Sequence, residues 1–406
     1  MEVSSMINLE VPRKFAQVTG LAQQAAEHVF RPVSRKYDRE EHTYPVELDA
    51  FAAAVEGMDS TGNLEGAGAD SVRSEDVEDR NRNGSNMSSV LSIEALCWGD
   101  VGLLLSMPRQ GLGNAAIASV ADDEQQERFA GQWAAMAITE SDAGSDTAAI
   151  RTTAELDGDE YVLNGRKIYV TAGERADLLV VWASLDLDQG RAAIKSFVVP
   201  RDAQGLTLVR VEDKLGIRAS DTAEFVLDDV RVPRENLLGS PDIDTKKSFA
   251  GAMKTFDNTR PMVAAMAVGL TRACIERTEE LLADAGVTVD PDRPAMVQSA
   301  AAAELLRLQS EHEAARLLTL QAAWMADNQR PNSLEASYAK AKAGRTCVDV
   351  ALSCVALAGS VGYGETELLE KWARDAKILD IFEGTQQIQL LIIARRLLGL
   401  SSSELR

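Results

Sequence analysis
Glu383 lies in the stretch ILDIFEGTQQIQ, residues 378–389, between Phe382 and Gly384. It follows an apolar run and precedes a helix-like start at Thr385. Residue chemistry allows two readings. Among Ile381 and Phe382 a carboxylate loses hydration, which raises its pKa toward the range a general base needs. A helix N-terminus beside it favours the anion and pulls the other way, so the sign of the net shift stays open. The plainer reading is a carboxylate at a helix start, with glycine turning the chain. Gly384 also allows close backbone approach, or a conformation closed to other residues.

A second candidate is the loop MAITESDAGSDTAAI, residues 136–150. It leaves a short strand for a turn dense in hydroxyls, carboxylates and small residues. Such a turn offers backbone amides and hydroxyls to a ligand, or is an ordinary surface turn. Other patterns are decoys. GLGNAA, residues 111–116, fits a dinucleotide glycine pattern, but Pro108 breaks the preceding stretch and no βαβ unit surrounds it. ESDAGSD lacks a nucleophile elbow, and with three histidines a serine hydrolase finds no support. Those histidines (His28, His42 and His312) lack metal-ligand spacing, so no metal is expected. Cys97, Cys274, Cys347 and Cys354 read as buried reduced thiols.

The elements that must position these residues fall into three runs. Residues 1–132 read as mainly helical, with a polar loop over 56–86 and Asn86 as a helix cap. Residues 133–245 carry alternating β-prone segments. Asp157-Gly158 and Asn164-Gly165 suit tight hairpin turns, so an antiparallel sheet or barrel is expected. Residues 246–406 return to the helical period in four long segments, which implies a four-helix bundle and an α+β protein overall. The 406 residues suffice for two or three domains with a large core. A net charge of −21 argues against nucleic acid or an anionic membrane as partner. No signal-peptide pattern or transmembrane-length apolar run is visible, so a cytoplasmic protein is expected.

In this order, AITESDAGSDTAAIRTTA, YVLNGRKIYVTAG, FDNTRPMVAAMAVG and WARDAKILDIFEGTQQIQLLIIARRLLG resemble the signature segments of the acyl-CoA dehydrogenase flavoprotein family. The likeness spans Trp98 to Gly399 and looks closest to a bacterial, actinobacterial-type fatty-acid degradation branch. The family fold it implies is a helical domain, a β domain and a helical bundle, with FAD between the last two. By resemblance, Met136, Ile138, Thr139 and Ser145 lie along the FAD, Thr139 bonding the isoalloxazine and Ser145 also meeting the CoA side of the substrate. Tyr169, Val170 and Thr171 match the family's aromatic-aliphatic-threonine flavin motif.

The implied reaction is α,β-dehydrogenation of an acyl-CoA, with electrons passed to electron-transfer flavoprotein. Glu383 becomes the base, and Gly384 admits the substrate. A minority of members carry the base on an earlier helix. The matching FDNTRP segment offers Asp257, Thr259 and Arg260 but no glutamate. Asp257 and Arg260 then read as substrate-pocket residues, Arg260 setting the electrostatics around the base. Thr385 and Gln387 are implied contacts of the ADP portion, and Gln298 and Gly359 further flavin contacts.

Departures accompany the likeness. The family's R-x-x-F-G arginine, which reaches a neighbouring subunit's FAD, is missing from ADAGVTVDPDRPAMVQ, and Arg293 does not match it. ALAGS, residues 356–360, replaces a Q-I-L-G-G stretch, and a P-E-E-x-G-G turn is absent from 56–86. A homo- or hetero-oligomer, a dimer of dimers, is the implied assembly. Rival readings are an acyl-CoA oxidase and a weakly catalytic or scaffold subunit of a hetero-oligomer.

Overall fold
The computed structural model describes residues 12–58, 83–108, 112–243, 250–401 and 404–405, with backbone alone for 54–58 and 250–258. Most of the polar 56–86 stretch therefore lies outside the described residues. The N-terminal part holds α1 (Ala16–Ala25), α2 (Arg31–Arg39), α3 (Glu47–Met58), α4 (Ser85–Gly99), α5 (Val101–Leu105), α6 (Leu112–Val120) and α7 (Asp123–Phe129). Seven strands come next: β1 (Ala134–Ala137), β2 (Thr153–Asp157), β3 (Glu160–Thr171), β4 (Leu178–Ser184), β5 (Ile194–Pro200), β6 (Leu206–Val211) and β7 (Thr222–Pro233). The rest is α8 (Ala250–Asp284), α9 (Ala300–Asp327), α10 (Ser333–Ala358), α11 (Ser360–Tyr363), α12 (Leu369–Leu379) and α13 (Gln386–Leu398). No helix among the described residues is long and apolar enough to cross a membrane.

The sheet runs β1-β4-β2-β3-β7-β6, with β5 also paired to β4. Its main ladders are antiparallel, except that β1 runs parallel to β4 with Ala134 beside Leu178. The β2–β3 hairpin lies in the connection between them, which makes it long enough for a parallel pairing. Asp157-Gly158 turns that hairpin, with Gly158 at φ 65°. Asn164-Gly165 does not turn the chain. It sits inside β3 at a register shift, where a Cβ on Gly165 would lie 2.3 Å from Thr152 Oγ1. Here the glycine marks a bulge and a close approach, the other use of glycine in a strand. Gly113 of the decoy stretch packs α6 against the Ala134 carbonyl, with 2.3 Å left for a Cβ.

Asn86 does not cap α4. It lies inside the helix, and the exposed N–H groups are met by a carboxylate from the end of α9. Asp327 accepts from Gly84 N at 2.6 Å and from Asn86 N and Met87 N at 3.0 Å. An anion at a helix start satisfies both the open donors and the dipole. The bundle core combines Leu270, Cys274, Leu305, Ala343, Cys347, Val350 and Trp372. All four cysteines are buried free thiols. The bundle also contains α12, a helix that the four-segment reading lacks. Its 11 residues mix charge and apolar groups, so its period is short and easily merged with the residues leading into α13.

Two contacts position the segment after α12. Gly344 of α10 lies so close to Leu379 that a Cβ would meet its carbonyl at 2.7 Å. The connection between β6 and β7 also docks on α12, where Ile217 N donates to Asp375 Oδ1 at 2.6 Å. The sheet and the Glu383 segment are thus held by the same short helix.

Candidate active site
Glu383 begins with backbone geometry. The chain leaves α12 at Asp380, and the Gln386 N–H closes the turn onto the Asp380 carbonyl at 3.0 Å. Inside this turn Glu383 has φ 55° and Gly384 has φ 93°. A left-handed glutamate is uncommon and costs energy that surrounding contacts must hold. Three contacts do so. Lys340 Nζ of α10 donates to the Gly384 carbonyl at 2.7 Å. Gln389 Nε2 of α13 donates to the Glu383 and Gly384 carbonyls, each at 3.2 Å. A Cβ on Gly384 would stand 2.4 Å from that same Nε2, so the position takes glycine on two grounds. Thr385 caps α13, accepting from Ile388 N at 3.3 Å.

The Glu383 side chain turns toward α8. Thr259 Oγ1 donates to Glu383 Oε2 at 3.1 Å. Arg260, 3% exposed, lies beside it and helps stabilise the anion. The net effect on the carboxyl is a raised pKa: burial outweighs the Thr259 hydrogen bond and the charges of Arg260 and Lys340. The sign left open by sequence is thus set by desolvation. Lys340 itself is pulled down to about 8 by burial, against the opposing pull of Asp380 and Glu383. Among the described residues no acceptor meets the Glu383 N–H. Pro261 has no N–H for the 257 carbonyl, which leaves that turn of α8 short of one backbone hydrogen bond beside Thr259 and Arg260.

The second candidate cluster sits on the sheet. Ile168 N of β3 donates to the Thr139 carbonyl at 2.9 Å, so the loop after β1 is tied to the strand just before Tyr169. The register shift between Lys167 and Val170 places Tyr169 at φ 57° and 61% exposed. A bulge that turns an aromatic ring outward is a device for re-aiming a side chain. Glu140 anchors the loop from below. Its carboxylate accepts from Arg151 N at 2.6 Å, Thr152 N at 3.0 Å and Lys167 Nζ at 2.7 Å. Burial opposes its charge, yet Lys167 and these donors hold Glu140 below the usual carboxylate range.

The structure brings Met136, Ile138 and Thr139 together with Tyr169, Val170 and Thr171, and brings Glu383 and Gly384 together with Arg260. Ile138 and Val170 point into the sheet cores, leaving their backbones as the available groups. Ser145 is exposed in the loop, as is Gln387 on α13. Gly359, at φ 59°, ends α10 in open space. The side chain of Asp257 lies outside the described residues. The Gln298 amide bonds Asp290 N at 3.0 Å, Asp290 O at 2.8 Å and Arg293 O at 2.9 Å. It braces the loop before α9.

Lys340, Gln389 and the contact from Thr259 are the parts that sequence reasoning missed. Lys340 left a signal, since it stands on the face of α10 that carries Ala336, Ala339, Ala343 and Cys347. A lysine inside an apolar stripe needs a partner.

The family descriptions "Acyl-CoA dehydrogenase, C-terminal domain" and "Acyl-CoA dehydrogenase, middle domain" match residues 249–398 and 135–230. The chain is 32% identical over 410 residues to the bovine mitochondrial short-chain specific acyl-CoA dehydrogenase (Bos taurus), covering 96% of this chain and 92% of that protein. Its fold is similar to butyryl-CoA dehydrogenase from Megasphaera elsdenii, at TM-score 0.81 and 27% identity over 97% of this chain and 100% of the other. It is also similar to a chain in the solved structure described as the electron transferring flavoprotein of Acidaminococcus fermentans, at TM-score 0.79 and 27% identity over 97% and 100%. The chain belongs to the acyl-CoA dehydrogenase family of FAD-dependent oxidoreductases. The outward Tyr169 ring beside Thr139 and Thr171 fits such a cofactor, because a flat aromatic at a bulge offers a stacking face next to polar donors.

Proposed function
We propose that this chain converts a saturated acyl-CoA to the trans-2-enoyl-CoA in fatty-acid β-oxidation, with Glu383 removing the α proton. The observation that carries this reading is the Glu383 carboxylate: desolvated, raised in pKa, and held by Thr259 at 3.1 Å next to Arg260. A base of this kind keeps enough basicity to take a weakly acidic C–H proton. The Glu383 N–H is the chain's own donor for the thioester oxygen, where charge builds as the proton leaves. Bound FAD supplies the hydride acceptor for the β carbon.

Thr139, Tyr169 and Thr171 hold and orient the cofactor, with Met136, Ser145, Thr385 and Gln387 along its length. Arg260 lines the substrate pocket, and Asp257 is a substrate contact by resemblance alone. Electron-transfer flavoprotein is the proposed electron acceptor, and the cytoplasm the proposed location.

The test is anaerobic mixing of the purified flavoprotein with saturated acyl-CoAs of graded length, read as loss of flavin absorbance. Wild type bleaches, and Glu383→Gln does not. Bleaching that survives in Glu383→Gln overturns the assignment of the base.

One observation favours a variant assembly. Gln298 is committed to its own loop, and the arginine that members lend to a neighbour's FAD is missing. A hetero-oligomer, in which a different subunit completes some flavin sites, accounts for both. A tetramer of this chain alone with one FAD in every subunit would sink that idea.

A further inference from the structure
Lys340 is buried on α10, far in sequence from Glu383, yet it reaches the loop that carries the carboxylate. Its Nζ donates to the Gly384 carbonyl at 2.7 Å. That carbonyl also accepts from Gln389 Nε2 at 3.2 Å, and Gln389 reaches the Glu383 carbonyl at the same distance. Both residues of the pair are left-handed, at φ 55° and 93°. The Glu383 carbonyl belongs to the Glu383–Gly384 peptide and the Gly384 carbonyl to the Gly384–Thr385 peptide, so these donors hold the peptides on both sides of Gly384 and the turn from which Glu383 projects. We propose that Lys340 is a positioning residue for the base, holding the Gly384–Thr385 peptide through the Gly384 carbonyl, and with it the turn that presents Glu383, while its ammonium favours ionised Glu383. This rests on the reading of Glu383 as the base.

The charged groups facing the pair support an electrostatic part for Lys340. Arg260 comes from α8, Asp380 from the end of α12, and Arg345 of α10 lies 3.8 Å from Asp380. Arg260 and Lys340 both favour the Glu383 anion, while Asp380 draws on Lys340. Two cations therefore share the work of keeping one desolvated carboxylate ionised. Neutral Lys340 would still accept or donate a hydrogen bond, but it would give up the charge. Arginine could keep the charge but not the compact single-point contact.

The test uses the FAD-loaded enzyme and three variants: Lys340→Met, Lys340→Arg and Glu383→Gln. Lys342→Met is the control, since Lys342 pairs with Glu311 on the neighbouring helix. Misplacement of reacting groups by about 1 Å costs up to about 100-fold, so Lys340→Met is expected to lose roughly 10- to 100-fold in kcat with KM changed little. The acid limb of its kcat/KM profile should move up by about one pH unit, as for a carboxylate losing a nearby cation. Lys340→Arg should restore the limb while recovering kcat in part.

A readout independent of turnover is the infrared carboxyl band that titrates in wild type and vanishes in Glu383→Gln. Its midpoint should rise in Lys340→Met. An unmoved limb and midpoint overturn the proposal, as does a change confined to KM. If Lys340→Met does not fold, Lys340→Gln keeps an N–H donor without charge and carries the same test. Activity retained in Glu383→Gln would instead overturn the base itself, so the two failures are separable.

Discussion

Two lysines sit fully inside the helical bundle, and their surroundings treat them in opposite ways. Lys371 of α12 lies 2.6 Å from Asp100 and 2.5 Å from Asp375. Burial opposes its charge, but the two carboxylates outweigh burial and hold its pKa above the ordinary value. Lys340 of α10 has no carboxylate at contact distance among the described residues. Its hydrogen-bond partner is a carbonyl, and burial brings it down to about 8. The first lysine is neutralised and fixed, and it ties α12 to the α4–α5 corner and, through Asp375, to the β6–β7 connection. The second keeps a field that is not cancelled, directed at Glu383. A buried charge that is fully paired builds structure. One that is only partly compensated is available to tune a neighbour.

The comparison breaks most visibly at Lys371. Lys371→Met leaves Asp100 and Asp375 buried together without their cation, and the expected loss is about 3–5 kcal/mol in unfolding free energy. Denaturant melts measure it. A loss below about 1 kcal/mol would mean that the hub is not structural.

Next in size is Thr259→Val, which removes the hydroxyl from the Glu383 carboxylate. Hydrogen bonds to a charged group contribute about 1.5–3 kcal/mol, so kcat/KM at neutral pH should fall roughly tenfold or more. The acid limb should move upward, because the ion loses a donor.

Gly384→Ala ranks third. A non-glycine residue in the left-handed region costs roughly 1–2 kcal/mol, and the new Cβ presses on Gln389. Melting temperature and kcat should both drop, with the fold intact by circular dichroism.

The smallest effect separates the two lysines by pH. A lysine whose folded pKa is depressed binds fewer protons folded than unfolded between about 8 and its ordinary value of 10.5. Stability therefore rises with pH through that window. Wild type should gain about 1 kcal/mol over Lys340→Met between pH 9 and pH 10. Lys371 has a raised folded pKa, so its contribution is intact throughout the same window. The difference between wild type and Lys371→Met should stay flat there. Equal slopes would erase the distinction.

Legibility in the sequence divides along the same line, between local signal and tertiary contact. The order of helices, sheet and helices was legible because periodicity survives along a single chain. Glu383 stood out as a candidate through the family resemblance of several separated segments, since its local stretch alone reads more plainly as a helix-start carboxylate. The left-handed geometry of Glu383 was not legible, since it depends on donors from α10 and α13 that sequence places 43 and 6 residues away. Asn164-Gly165 misled for a related reason. The dipeptide favours a turn, but the crowding that makes it a bulge comes from Thr152, the residue before β2. The cap of α4 came from Asp327, 242 residues beyond Ser85, and no local signal announces such a partner. Local rules name the residue type, and tertiary contacts decide its use.

The central claim is that Glu383 moves the α proton. Incubating an acyl-CoA with the enzyme in deuterium oxide, and monitoring the α-CH₂ signal by proton NMR before net dehydrogenation, reads that step directly. Wild type should wash deuterium into the α position, Lys340→Met more slowly, and Glu383→Gln at the background rate. Exchange in Glu383→Gln at the wild-type rate would contradict the account.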